Sequence, residues 1–280
     1  MSEALRAALA HLDRGEPAVL VSVAETRGST PRETGAVMLV AERAVAGTIG
    51  GGQLEWRAIE AAREMLAGGE AVAELNLPLG PLLAQCCGGQ VVLRLARLAV
   101  TQRGGIEQAL EQAAERLPLV ALFGAGHVGR AVASALAPLP CRIVWIDSRK
   151  NEFPARLPAN ATPRLADEPA ALAASLPAGA FWLVMTHSHP LDLDIVEAAL
   201  RRDDVAWLGL IGSDTKRARF TSQLKARGVS AERIGRLVCP IGLAGIAGKE
   251  PAVIAASVAA QLLIAFEAVA RRRSLAGATA

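Results

Sequence analysis

The stretch Phe123-Gly124-Ala125-Gly126-His127-Val128-Gly129 decides the fold of the region that contains it. Residues 119–123 form a short apolar run typical of a buried parallel strand, and residues 128–136 are rich in helix formers. A strand, a glycine turn and a helix therefore follow one another. In such a turn Gly124 permits the tight bend, Gly126 lets the backbone approach a pyrophosphate, and Gly129 allows close helix packing.

An acidic residue follows at the distance that a dinucleotide site requires. The apolar run 142–146 ends in Asp147, which lies 18 residues after Gly129, about where an acid binds the ribose. Strand, helix, second strand and acid together predict a Rossmann-like parallel-sheet domain. Arg149, just beyond Asp147, leaves the choice between NAD and NADP open.

The composition bounds the class of protein. Of the 280 residues, 52% are hydrophobic and 20% are charged, which is ample for a packed core. A net charge of +3 and the absence of tyrosine give neither a basic face nor a stacking platform, so nucleic-acid binding is not expected. Residues 1–14 lack the apolar core of a signal peptide, so a cytoplasmic location is expected. Residues 251–266 are apolar but short and alanine-rich, which predicts a buried helix rather than a membrane span.

The pattern divides the chain into two α/β domains. An N-terminal α/β domain is expected over residues 1–103, a linker helix over 104–117, and the Rossmann-like domain with a C-terminal helix over 118–280. In the first domain a leading helix precedes strands predicted over 18–24, 36–41, 44–47 and 91–100, and a helix over 53–67. In the second, further strands are predicted over 180–185 and 205–211, and helices over 192–201 and 214–227.

Two loops of the first domain have features of an anion site. Residues 27–32, Arg-Gly-Ser-Thr-Pro-Arg, carry two arginines that can hold a phosphate or carboxylate in a bidentate manner. Residues 50–52 are three consecutive glycines directly before a predicted helix, so free N–H groups are expected to receive an anion. The alternative is a tight turn with surface arginines.

Two adjacent cysteines stand in a glycine-rich loop. Cys86 and Cys87, together with Cys141 and Cys239, lack the paired spacing of a zinc site, and adjacent cysteines rarely form a structural disulfide. The pair is therefore either inert or suited to soft-metal ligation, persulfide transfer or redox sensing. Cys141 and Cys239 adjoin predicted strands and are expected in the core.

Two histidines follow a predicted strand of the second domain. His187 and His189 stand at the carboxyl edge of the predicted parallel sheet, where such sheets bind ligands, and Asp192 comes three residues after His189. This group suits metal binding or proton transfer. The alternative is helix capping and ligand lining without chemistry.

Taken together, the motifs resemble the ordered set of the XdhC/CoxI family of xanthine dehydrogenase accessory factors. The resemblance covers nearly the full length and rests on residues 27–32, 47–52 with Glu55, 85–89, 123–129, 186–192, 211–213 and 239–243. It implies a chaperone-like maturation factor, rather than an enzyme, that binds molybdenum cofactor (molybdopterin), supports its sulfuration with a cysteine desulfurase and inserts it into a molybdenum hydroxylase. It also implies a homodimer that works with the molybdenum-binding subunit of xanthine dehydrogenase, without a membrane partner.

The resemblance assigns roles to particular residues. Cys86 and Cys87 would bind the metal or its sulfur. The cofactor or a nucleotide would be bound by a larger set that also includes Arg27, Ser29, Arg32, Gly50, Gly51, Gly52, Gly124, Gly126, Gly129, Asp147, His187 and His189. No catalytic residue is expected. The alternative function is an NAD(P)-dependent oxidoreductase in which His187 or His189 donates the proton.

Overall fold

The computed structural model describes residues 2–79 and 89–277. The chain divides into two compact units between Arg116 and Leu117. Each unit has its own sheet and its own buried core. The α/β class is therefore confirmed for both parts of the chain.

The first unit is an antiparallel sheet with helices on its faces. In its described residues five strands pair in the order β3-β2-β1-β5-β4. The strands are β1 (Ala18–Arg27), β2 (Val37–Ala41), β3 (Val45–Gly47), β4 (Val72–Pro78) and β5 (Gln90–Arg97). The helices are α1 (Ser2–Arg14), α2 (Gly52–Gly68) and α3 (Arg103–Arg116).

The central strand β1 shows how this sheet is covered. Val19, Val21 and Val23 are buried in the cluster that contains the apolar side chains of α2. The alternate residue Leu20 belongs to the opposite face, which α1 and α3 cover in part. A strand buried on one side and partly covered on the other follows from the period of two along an extended chain.

Helix α3 differs from its predicted role as a linker. Its Ile106 is buried in one cluster with Ala4, Leu5 and Ala8 of α1. Arg103, the first residue of α3, forms an ion pair with Asp13 at the end of α1. The helix predicted over 104–117 therefore packs within the first unit, because it has an apolar contact with α1.

The second unit is a doubly wound parallel sheet. In its described residues six strands pair in the order β11-β10-β9-β6-β7-β8, with parallel ladders throughout. The strands are β6 (Leu119–Phe123), β7 (Arg142–Asp147), β8 (Ala161–Leu165), β9 (Phe181–Val184), β10 (Trp207–Leu210) and β11 (Leu237–Val238). The helices are α4 (His127–Leu136), α5 (Pro169–Leu172), α6 (His189–Arg201), α7 (Asp214–Ala226), α8 (Ala231–Gly235) and α9 (Pro251–Gly277).

The strand order reverses at β6. This strand pairs with β7 on one side and with β9 on the other, which is the Rossmann arrangement and confirms the prediction. Its neighbouring residues Leu122 and Phe123 enter two different buried clusters, one on each face of the sheet. Ligands of such sheets bind beyond the carboxyl ends of the strands at the reversal point.

Helix α9 packs one face against the rest of the second unit. Its Val258, Leu262 and Phe266 share a buried cluster with α4 and the sheet. Among the described residues, one helical segment is long and apolar enough to cross a membrane, Pro251–Arg272 of α9. Of its most apolar 18-residue stretch, 33% is buried. A core helix passes the same test. The predicted buried helix is therefore buried along one face, while Leu263 and Ile264 are exposed.

Candidate functional site

The three glycines of the loop after β6 have different structural roles. Gly124 has a φ of +116°, and a Cβ placed there would lie 2.3 Å from the carbonyl oxygen of Met185. A Cβ on Gly129 would lie 2.0 Å from the carbonyl oxygen of Gly124. A Cβ on Gly126, in contrast, would have no atom of another described residue within 4 Å, apart from its chain neighbours and its own helix. Gly124 and Gly129 thus permit close packing of the loop, whereas Gly126 leaves open space at the start of α4.

Asp147 is bound tightly to this loop. The residue is 4% exposed, and its carboxylate accepts a hydrogen bond from the backbone N–H of Ala125 at 2.6 Å. It also accepts bonds from the backbone N–H of Arg149 and from the Nε and Nη2 of the same residue, at 2.9 to 3.0 Å. Burial alone would raise the pKa of Asp147, but these hydrogen bonds lower it below its ordinary value. The acid predicted to bind ribose therefore holds the glycine loop.

A second arginine fixes the other side of the loop. Arg130 of α4 donates through Nε to the carbonyl oxygens of Ala125 and Glu152, both at 3.0 Å. Its Nη2 forms an ion pair with the carboxylate of Glu152, which Arg149 also approaches. Both backbone polar groups of Ala125 are thus bound, the N–H by Asp147 and the carbonyl oxygen by Arg130. The sequence gives no sign of this role for Arg130, because it depends on the position of Glu152.

The two predicted histidines lie where the sequence placed them. His187 is in the loop after β9 and His189 begins α6, so both stand at the carboxyl edge of the sheet. Both are exposed, and neither imidazole forms a hydrogen bond with a described residue. In the described part of the chain, no three His, Cys, Asp or Glu side chains are grouped as a metal site would require.

Asp192 orders this loop from within. Its side chain is completely buried, and Oδ1 accepts bonds from the N–H and hydroxyl of Thr186 at 2.9 and 2.7 Å. Oδ2 accepts a bond from Nζ of Lys216 at 2.7 Å. The same Nζ donates to the carbonyl oxygen of Ile211 at 2.9 Å. One buried ion pair therefore joins the loops after β9 and β10, a function that the sequence analysis did not give to Lys216.

The two cysteines of the second unit are in the core, as predicted. Cys141 and Cys239 are both buried. Burial raises the pKa of Cys141 to about 11 and also raises the pKa of Cys239. Neither thiol has the lowered pKa that favours a reactive thiolate.

In the first unit, an internal carboxylate occupies the glycine turn. Oε2 of Glu55, in the first turn of α2, accepts bonds from the N–H groups of Ile49 and Gly51 at 3.2 and 3.1 Å. Oε2 also accepts a hydrogen bond from the hydroxyl of Thr48 at 2.5 Å. The hydroxyl oxygen of Thr48 in turn accepts a hydrogen bond from the N–H of Gly50 at 3.1 Å. The N–H groups predicted to receive an external anion thus already bind a side chain. Of the three predicted glycines, this leaves the N–H of Gly52 outside the network.

The arginine loop meets two other motifs. A Cβ on Gly50 would lie 2.6 Å from Pro31, so the glycine turn packs against the loop that contains Arg27, Ser29 and Arg32. A Cβ on Gly89 would lie 2.5 and 2.4 Å from the carbonyl oxygens of Arg27 and Ser29. Cys86 and Cys87 lie outside the described residues.

The segment that contains the cysteines begins and ends at one place. Leu79 and Gly89 flank it, and the N–H of Leu79 donates to the carbonyl oxygen of Gly89 at 2.7 Å. Pro78 and Gln90 are paired residues of β4 and β5. The attachment point of the segment is therefore fixed beside the arginine loop.

One cavity of the second unit lies away from the motifs of that unit. It measures about 790 Å³ and is lined by residues at the amino ends of β9 and β10, among them Gly179, Val205 and Trp207. Ligands of doubly wound sheets bind at the opposite, carboxyl edge. This cavity is therefore at the edge of the sheet opposite to the glycine loop and the two histidines.

Comparison with known proteins identifies the family. The model of the XdhC Rossmann domain matches residues 120–262, just over half of the chain. The chain belongs to the XdhC and CoxI family. A model described as the XdhC and CoxI family matches residues 11–76, which include the arginine loop and the glycine turn.

Individual relatives agree with this family assignment. The protein YqeB of Escherichia coli is 31% identical over 248 residues, which are 88% of this chain and 43% of YqeB. The chain thus spans less than half the length of that relative. A solved Bacillus halodurans structure described as a xanthine dehydrogenase superposes with a TM-score of 0.76, covering 95% of this chain and 96% of that one. At 18% identity it shows the fold alone.

Proposed function

We propose that this member of the family binds molybdenum cofactor in the cytoplasm, supports its sulfuration and inserts it into xanthine dehydrogenase or a related molybdenum hydroxylase. The observation that carries the proposal is the contact of Gly89 with the backbone of Arg27 and Ser29. Gly89 follows Cys87 by two residues in the sequence. A ligand with a sulfur-binding metal and a phosphate needs both thiols and guanidinium groups.

The arginine loop fits the polar groups of such a cofactor. Arg27 and Arg32 are exposed, and the nearest carboxylate oxygen to Arg27 is that of Glu25 at 3.8 Å. Within the described residues Arg32 has no ion-pair partner. Both guanidinium groups therefore retain free N–H donors for a bound anion, with the hydroxyl of Ser29 between them in the sequence.

Each residue has a limited role in this proposal. When bound, the cofactor supplies a molybdenum ion that accepts sulfur ligands. Cys86 and Cys87 hold the metal or the incoming sulfur, and Arg27, Ser29 and Arg32 orient the remainder. A cysteine desulfurase supplies the sulfur, the molybdenum-binding subunit of the hydroxylase receives the cofactor, and a homodimer is the proposed assembly.

The second unit supports a binding role for an anionic group. Gly126 leaves space at the N-terminus of α4, where N–H groups of the first turn lack partners within the helix. His187 and His189 stand at the same edge of the sheet and are proposed to line this site. A phosphate of a separate nucleotide matches that chemistry.

The alternative function, an NAD(P)-dependent oxidoreductase, has less support. Dinucleotide recognition uses a carboxylate that accepts hydrogen bonds from the ribose hydroxyls. In this chain the carboxylate of Asp147 already accepts four N–H bonds from Ala125 and Arg149. NADH turnover above a no-protein control would restore this alternative.

Cysteine variants test the proposal. The double variant C86A/C87A, produced with an apo-xanthine dehydrogenase and a cysteine desulfurase, is expected to lose most of the activation of the hydroxylase. The control C141A removes a buried thiol whose pKa is raised to about 11, and it is expected to retain activation per folded molecule. Circular dichroism of all variants checks folding. Full activation by a folded C86A/C87A variant would remove these cysteines from the mechanism.

A further inference from the structure

A β-bulge changes the direction of the last side chains of β1. Val19, Val21 and Val23 point toward α2, and strict alternation would send Glu25 and Arg27 the same way. The register shifts between Val23 and Glu25, so that Val23 pairs with Leu93 and Glu25 pairs with Val92. Glu25 and Arg27 are therefore on the opposite, exposed face of the sheet. Bulges of this kind occur beside functional sites, where they redirect side chains.

The redirected side chains line a polar cleft. Glu25 and Arg27 of β1 meet Asn76 of β4 and Gln90 and Val92 of β5 around a volume of about 110 Å³. The strand register explains the grouping, since Glu25, Val92 and Asn76 are aligned across three strands and Arg27 lies opposite Gln90. The side chain of Gln90 donates to Oδ1 of Asn76 at 2.6 Å, which fixes both amides.

The charges in the cleft are adjacent but not tightly paired. The side chain of Arg27 is 77% exposed and that of Glu25 is 64% exposed, with 3.8 Å between the nearest nitrogen and oxygen. This separation is longer than a direct hydrogen bond. An exposed pair at this distance contributes little to stability and leaves its donors and acceptors available. The cleft thus presents two acceptor oxygens beside a group of donors.

We propose that this cleft binds the pterin ring of the cofactor through the edge that carries its amino group, ring N–H and carbonyl. The amino group and ring N–H donate to the carboxylate of Glu25, and the adjacent carbonyl accepts from Arg27. A carboxylate beside a guanidinium complements that donor, donor, acceptor order. The amides of Asn76 and Gln90 contact the ring beyond this edge. The inference rests on the proposed function and assigns the pterin to the first unit.

The size of the cleft agrees with edge recognition. Pockets that enclose a whole ligand measure about 300–1,000 Å³. A cleft of about 110 Å³ receives one edge of a fused ring and leaves the remainder outside. The metal-bearing part of the cofactor would therefore remain outside the cleft.

Titration of the full chain with unsubstituted pterin, followed by pterin fluorescence, tests the inference. The matched probe is lumazine, in which a carbonyl replaces the amino group, and guanosine monophosphate presents the same edge as pterin on a nucleotide. We expect pterin to bind at least about tenfold more tightly than lumazine, because lumazine loses a donor to Glu25. We expect E25Q and R27M each to weaken pterin binding about 10- to 100-fold.

The same sheet face offers control variants. Glu74 and Arg94 lie opposite each other on neighbouring strands and are exposed, but they are outside the cleft. E74Q and R94M change the same charges and are expected to leave pterin affinity within about twofold of the original. Equal binding of pterin and lumazine, equal losses in the control variants, or tighter binding of guanosine monophosphate would overturn the assignment to pterin.

Cofactor retention separates this inference from the proposed function. Wild-type protein and E25Q are purified from cells that make molybdenum cofactor, and pterin is measured in each. Loss of pterin in E25Q supports the cleft. Equal pterin content in both proteins would overturn the cleft and leave the proposed function intact. Absence of pterin from the wild type would overturn the proposed function itself.

Discussion

At the scale of single residues, Asp147 is a structural anchor of the glycine loop. We expect D147N to lower the free energy of unfolding by about 1–3 kcal/mol at neutral pH, because Asn offers fewer acceptors to Ala125 and Arg149. The pKa of Asp147 is lowered in the folded chain. Its contribution is therefore present above the ordinary aspartate pKa of about 3.9 and is lost as the pH falls through the lowered pKa.

Urea unfolding of wild type and D147N at several pH values measures this difference. The two curves should converge in acid. The control is D203N, which removes an exposed carboxylate paired with Arg233 and should change stability by less than about 1 kcal/mol. A difference that stays constant down to the lowest pH, or an equal effect of D203N, would contradict the anchoring role.

Gly129 gives a second prediction at this scale. A Cβ at Gly129 would lie 2.0 Å from a backbone oxygen, so G129A should destabilise the chain by about 1–3 kcal/mol or more. Gly105 of α3 has no atom within 4 Å of an added Cβ, so G105A should stabilise by up to about 1 kcal/mol through helix propensity. Thermal unfolding of both variants gives the sign of each effect. Equal effects of the two changes would contradict the close packing at Gly129.

At the scale of elements, the Asp192 and Lys216 pair joins α6 to α7 and to the end of β10. Either D192N or K216M leaves one buried charged group without its partner and should cost about 3–5 kcal/mol. The double variant should cost clearly less than the sum, because neither charge is then uncompensated. Chemical denaturation of the four proteins gives the coupling energy.

An exposed ion pair provides the control for that cycle. Arg103 and Glu107 are four residues apart on α3, so E107Q should cost less than about 0.5 kcal/mol. Additive losses in the Asp192 and Lys216 cycle would show that the two side chains stabilise the loops independently, contrary to the geometry.

At the scale of the whole molecule, apolar periodicity predicted the two α/β parts and most of their elements. The strands that it missed are at sheet edges. β4 turns only Ala73, Leu75 and Leu77 toward the core cluster, and β11 has two residues. An edge strand has one neighbour and needs less apolar surface, so its sequence carries a weaker signal.

The positions of the motifs were predictable from the sequence, but their side-chain contacts were not. Glycine motifs indicate where the backbone turns, and Gly124 and Gly129 are required for the reasons predicted. Sequence could not show that Glu55 fills the turn at Gly51, or that Asp147 is bound to Arg149. Both depend on side-chain positions set by the fold. The bulge that redirects Glu25 is likewise invisible in the alternation of β1.

The most direct test of the account is the cofactor content of the protein itself. The chain is purified from cells that make molybdenum cofactor, molybdenum is measured by elemental analysis, and the oxidised pterin is measured by its fluorescence. We predict that molybdenum and pterin copurify with the chain in equal amounts, approaching one of each per chain. Absence of both, together with turnover of NADH, would contradict the account and assign the chain to the oxidoreductases.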